Sequence, residues 1–133
     1  MFGKRAFTLI ELVIVLSILI ALMTVVVPSF LSSTEQAKLK SDIQTALIIH
    51  NAIELYKMEH FALPSATDSE TLLIILKDNH YIAHVEDNPQ LSVANWRYDA
   101  VNGKLLLDIT ACSEDVKRLA TQLTEKEKQY VYQ

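Results

Sequence analysis

Cysteine occurs once in these 133 residues, at Cys112, so no intramolecular disulfide can form and a disulfide-framed scaffold is excluded. Glycine is almost as rare, with two residues, and no stretch resembles a nucleotide-binding loop or the elbow that presents a hydrolase nucleophile. Basic charge is not in excess either. Twelve Lys and Arg against 16 Asp and Glu leave a formal charge of −4, and no basic cluster stands out. That argues against a nucleic-acid partner held by bulk electrostatics. Internal repeats and low-complexity tracts are missing, and no heptad with flanking charges is sustained long enough for a coiled coil. One ordinary domain is the most this length supports.

Half of the residues are apolar, and their distribution is uneven. Phe7 to Val27 is a nearly unbroken apolar run, interrupted only by Thr8, Glu11, Ser17 and Thr24. As a helix, such a run spans about 30 Å, the hydrocarbon thickness of a bilayer. Lys4 and Arg5 precede it, and after Glu11 the next charge is Glu35. The positive-inside rule then keeps the N-terminus cytoplasmic and exports the remainder. A secretory signal is the alternative, but Val-Val-Val-Pro-Ser-Phe has no small-x-small cleavage site, and Cys112 is too distant for a lipoprotein. A retained membrane helix is the expectation. Within it Glu11 is conspicuous, because a carboxylate at the centre of a bilayer costs about 2.5–3.5 kcal/mol on insertion scales. It either reaches for the interface or awaits a cation, such as an α-amine exposed at Phe7.

Lys4-Arg5-Ala6-Phe7-Thr8-Leu9-Ile10-Glu11-Leu12 resembles the prepilin peptidase recognition segment of type IV pilins and pseudopilins. Pro28 sits where these proteins have a helix-loosening proline, and Ala52-Ile53-Glu54-Leu55-Tyr56-Lys57 is similar to the end of their long helix. The resemblance implies a leader of residues 1–6, cleavage between Ala6 and Phe7 by an aspartic membrane protease, and N-methylation of Phe7. It also implies that Glu11 meets the Phe7 amine of an adjacent subunit. The sequence departs from the pattern at Ala6, where the family has Gly, so slower cleavage is expected. The implied partners are other copies of the chain, the prepilin peptidase, an inner-membrane assembly platform, and lipid before assembly. No nucleic acid and no cofactor are implied. The implied place is a single-pass membrane pool that feeds a surface or periplasmic filament.

Helical character resumes after Pro28 and continues to about His60, with Leu39, Ile43, Ala46, Leu47, Ile53 and Tyr56 on one stripe. A helix from 7 to 60 measures about 80 Å, more than so small a chain can bury in itself. Beyond it, residues 61–133 should form a small head. Thr67 and Glu70 have capping-box spacing before a short helix at about Asp68–Asn79. Asn102-Gly103 between two apolar strands signals a hairpin. Ser113 looks like the N-cap of a last helix whose stripe is Val116, Leu119, Ala120, Leu123 and Tyr130. The fold class is therefore α+β, a long helix backing a small antiparallel sheet. His80 and His84 are four apart but lie in a strand- or loop-like stretch without a third ligand, so metal binding is not expected. Glu86-Asp87-Asn88 is only a faint substitute for the calcium loop of major secretion pseudopilins. His50 and Cys112 read as structural residues. Nothing indicates an enzyme. The competing readings are a pseudopilin of a secretion or DNA-uptake machine and, from another class, a single-pass anchor that displays a ligand-binding head.

Overall fold

A computed structural model describes residues 6–133. The dominant element is α1 (Leu9–His60), a helix of 52 residues. It is followed by α2 (Ser69–Asp78), a hairpin of β1 (Asn95–Asp99) and β2 (Lys104–Asp108), two short helices α3 (Glu114–Thr121) and α4 (Glu125–Lys128), and a terminal strand β3 (Val131–Tyr132). The chain divides into a first unit ending at Thr34 and a second spanning Glu35–Gln133, with α1 contributing to both. In the first unit the described side chains are exposed apart from the half-buried Thr34. The second unit holds the core.

That core forms where the stripe of α1 meets α2 and the sheet. Leu39, Ile43, Ala46, Ile49, Ala52 and Ile53 turn inward at three- and four-residue steps. They cluster with Leu72, Leu73 and Leu76 of α2 and with Trp96, Leu105 and Leu107 of the hairpin. The strands alternate as one-sided strands do: Trp96 and Tyr98 are buried while Asn95 and Arg97 are exposed. Leu47 and Tyr56, expected on the inner stripe, are exposed and half-buried respectively. Asp42 takes a place inside instead.

Several sequence expectations are corrected. Pro28 lies inside α1, and helix is assigned on both sides of it. A proline removes its own N–H donor and its ring crowds the carbonyl four residues back, here that of Thr24, while the Thr24 and Ser29 hydroxyls donate to the carbonyls of Ala21 and Val26. Helix therefore runs through Pro28 in the single chain, and the loosening expected there concerns subunits packed in a filament. Helix α1 also starts at Leu9 rather than Phe7. The cap of α2 is Asp68, whose carboxylate accepts from the Thr71 N–H at 2.7 Å, so a one-sided cap one residue later replaces the box expected at Thr67 and Glu70. The hairpin is present, but its loop is four residues long, Ala100 to Gly103, between Asp99 and Lys104. Asp99 organises it by accepting from the Val101 and Asn102 N–H groups, and Gly103 adopts a φ of 63°. Finally, the last helix stops at Thr121. Thr124 and Glu127 form a capping box that restarts the chain in a new direction, so Tyr130 enters the core outside any helix. Val131 and Tyr132 then pair with Leu107 and Asp108 in parallel, making the sheet mixed, in the order β1-β2-β3, rather than antiparallel.

Candidate functional site

The residues singled out by sequence lie at the start of α1. Ala6 and Phe7 precede the helix and are exposed, while Lys4 and Arg5 fall outside the described residues. Phe7 has 85% of its surface free. Thr8 is the residue before the helix, and Glu11 is its third residue. The Thr8 N–H donates to a Glu11 carboxylate oxygen at 3.0 Å, and the Glu11 N–H donates to the Thr8 hydroxyl at 3.3 Å. This reciprocal pair is a capping box, which satisfies two donors that a helix start leaves open. It was legible as Thr-x-x-Glu, a signal hidden by the attention that an acid within an apolar run attracts. Glu11 therefore has a partner within its own chain. Its position also sets a negative charge in the first turn, where the helix dipole favours it.

From Leu9 onward α1 contains a stretch long and apolar enough to cross a membrane, and none of that stretch is buried within the chain. Large side chains such as Leu12, Ile14, Leu16, Ile18 and Leu22 leave about half of their surface uncovered. Patches of this extent on a soluble monomer mark a membrane or protein interface. The helix fits a membrane-anchored protein.

The remaining sequence candidates are scattered over the second unit. His80 sits in the turn after α2 at φ 62°, His84 lies in the following loop, and among the described residues no three His, Cys, Asp or Glu side chains gather as metal ligands. The His50 ring faces the Tyr130 ring with centroids 5.8 Å apart, a packing role. Cys112 is buried with its Sγ 3.6 Å from the Ser92 carbonyl, and burial pushes the thiol pKa up, away from the reactive thiolate.

Asp42 was missed by the sequence reading. It lies on α1, is the buried charged residue among the described residues at 2% exposed, and accepts from the N–H groups of Gln90 and Leu91 at 2.8 and 2.9 Å. Burial raises its pKa above the ordinary value of 3.8. The two backbone bonds oppose that rise, Glu86 adds to it and Lys38 counters it. The carboxylate ties the loop before β1 to α1. An aspartate on an otherwise apolar helix face was the available signal.

Comparison with known proteins closes the question of family. Type II secretion system core protein G of Pseudomonas aeruginosa is 35% identical over 108 residues, covering 79% of this chain and 67% of that protein. Competence protein ComGC of Halalkalibacterium halodurans is 32% identical over 83 residues, covering 62% of this chain and 76% of that protein. Type II secretion system core protein G of Escherichia coli is 27% identical over 71 residues, so the chain spans about half of that relative's length. No family model matches the chain, and no solved structure matches it significantly. The relatives, the Phe7-to-Glu11 segment and the long apolar helix backing a small α+β head agree: the chain belongs to the type IV pilin and pseudopilin family.

Proposed function

We propose that this chain is a structural subunit of a type IV pilus-like filament, stored in the membrane and drawn into the filament through α1. The observation that carries the reading is the fully unburied apolar stretch of α1, which needs lipid at one stage and other copies at the next. Processing between Ala6 and Phe7 licenses the transfer, because it creates an amine at Phe7 that can reach the Glu11 of a neighbour. The chain acts without catalytic chemistry of its own. Its partners are the prepilin peptidase, the assembly platform and further subunits, and its N-terminus starts on the cytoplasmic side. Among pilus-like machines, the names of the relatives favour a secretion or DNA-uptake pseudopilus over an adhesive pilus, and the single cysteine agrees, since it rules out a disulfide-looped head.

Sheared extracellular or periplasmic material from cells that make the chain is the test. Intact mass should show loss of Met1 to Ala6 and one added methyl on Phe7. Recovery of the full-length chain alone in that fraction would refute processing. Absence of the chain from any filament would leave the single-pass anchor as the better account.

A further inference from the structure

Phe61 is the residue that closes α1. Its φ of 54° is in the left-handed region, where a helix commonly ends but where glycine or asparagine sits with least strain. Its ring is 93% exposed, so nothing in its own chain repays the conformation. Its surroundings are rigid. The Tyr56 and His60 rings stack at 4.1 Å, Tyr81 meets Tyr56 edge-on at 5.6 Å, and the Tyr81 hydroxyl donates to Glu59. Met58, three residues earlier, adds 69% of its surface to the same end of the helix. The result is an aromatic knob held out on a stiff base.

The same unit also carries a hollow of matching character. Ile43 and Leu47 of α1 and Tyr130 of the C-terminal segment give the apolar surface of an open depression of about 160 Å³, rimmed by Gln44, Lys126, Glu127 and Gln129. A cavity of about 150 Å³ with apolar walls accommodates a benzene ring. Within one chain knob and hollow cannot meet. Gln44 and His60 are 16 residues apart on one helix, about 24 Å at the helical rise.

We propose that the Phe61 ring of one copy seats in the Ile43–Leu47–Tyr130 hollow of the next, giving the heads a specific contact beyond the packing of their apolar helices. The inference rests on the filament reading above. The occupant is a second copy because a filament surrounds each subunit with identical chains, and this chain supplies both parts of the fit. The two parts are different surfaces, so the contact is heterologous, and heterologous contacts that do not close propagate as open helical assemblies. A buried aromatic anchor in an apolar pocket is also the residue type that dominates interface energy.

The test uses the full chain in its own cells, with fractionation into precursor, processed membrane pool and sheared filament. Phe61→Ala should be inserted and processed normally but reach the sheared fraction about tenfold less than wild type. The double variant Ala62→Cys/Gln44→Cys, which keeps the Phe61 ring, oxidised in assembled material, should give a ladder of covalent multimers on denaturing gels. Each single variant should stay monomeric. An intrachain disulfide is out of reach, since it needs Cα atoms within about 7 Å, and Cys112 is buried. Undiminished Phe61→Ala filaments overturn the proposal. So does assembled double variant that stays monomeric, as it would if lipid or another chain filled the hollow, or a product that stops at dimer. In those cases wild-type chain in the sheared fraction keeps the filament reading intact. Wild-type chain missing from that fraction would instead bring down both.

Discussion

Replacing Asp42 tests how the head is held to α1. Asparagine keeps one carbonyl oxygen, so it can accept from one of the two backbone N–H groups, while its amide hydrogens face the other. The Leu91 N–H is buried and has no route to water, whereas that of Gln90 lies at the edge. Leaving one buried donor unsatisfied costs about 1–3 kcal/mol, which sets the expected loss for Asp42→Asn near neutral pH. Asp42→Ala frees both donors and leaves a small void, and should cost about 2–4 kcal/mol. Urea unfolding of the full chain in detergent micelles can be followed by Trp96, the single tryptophan, which is buried on β1. The pH dependence adds a signed check. The folded state raises the Asp42 pKa above 3.8, so it holds the proton more tightly than the unfolded chain. The stability this residue contributes by titrating is full below 3.8 and is lost as pH rises through the raised value. Asparagine cannot titrate. The gap between wild type and Asp42→Asn should therefore widen as the solution is acidified through that window. A gap that narrows towards acid would refute burial as the stronger influence on this carboxyl, and an Asp42→Asn chain as stable as wild type throughout would refute the assignment of Asp42 as a buried acceptor of two backbone bonds.

Gly103→Ala should destabilise the head by about 1–2 kcal/mol from the left-handed backbone alone, and further because the new Cβ would lie 2.5 Å from a Leu63 methyl; the same Trp96 unfolding midpoint reads it. Thr124→Ala removes the cap of α4 and should cost about 1 kcal/mol, with hydrogen exchange rising at Leu107 and Ile109, whose N–H groups donate to the Tyr130 and Tyr132 carbonyls that the Thr124–Glu127 turn positions. Asp99 and Asp108 are held below the ordinary carboxylate pKa by the Asn102 and Thr110 side chains respectively. Their contribution is present above 3.8 and lost as pH falls through the lowered values, so Asp108→Asn should flatten the acid limb of the stability curve. Glu11→Gln should be inserted and processed but enter sheared filaments poorly, and wild-type yields of that variant would remove the charge-pairing role from Glu11.

The parts legible in the sequence were those with a local signature. The apolar run starting at Phe7, the inner stripe at Leu39, Ile43 and Ala46, the end of α1 at His60 and the hairpin around Gly103 all follow from period, composition or turn chemistry within a short window. What escaped depends on contacts distant along the chain. Asp42 is buried because the loop that comes 48 residues later brings two N–H groups to it, which no window around Asp42 contains. The parallel pairing of β3 with β2 needs a reversal built by the Thr124–Glu127 box. Once a continuous apolar stripe from Val116 to Tyr130 was assumed, that box read as part of a helix.

If Glu11 pairs with a neighbour's Phe7 amine as proposed, the Thr8–Glu11 box changes what assembly has to accomplish. If Glu11 were an unpaired carboxylate in hydrocarbon, any cation would be drawn to it, and pairing would select poorly among neighbours. In this chain the carboxylate already accepts from the Thr8 N–H, and that bond survives cleavage, because the Thr8 amide is formed with Phe7 and not with Ala6. A neighbour's amine therefore has to improve on, or share, an existing hydrogen bond. A charged donor does so where a neutral one would not, since charge-assisted bonds are roughly twice as strong. On the proposed processing the amine would be made only by removal of the leader, so an unprocessed copy would bring an ordinary amide and gain nothing over Thr8. Glu11 on this account discriminates between processed and unprocessed neighbours rather than merely attracting them. Thr8→Val, which removes the hydroxyl side of the box while keeping the backbone donor, should fray the helix start and weaken that discrimination. Unprocessed chain would then be recovered in sheared material, and its continued exclusion from Thr8→Val filaments would show that the hydroxyl half of the box has no part in selecting neighbours.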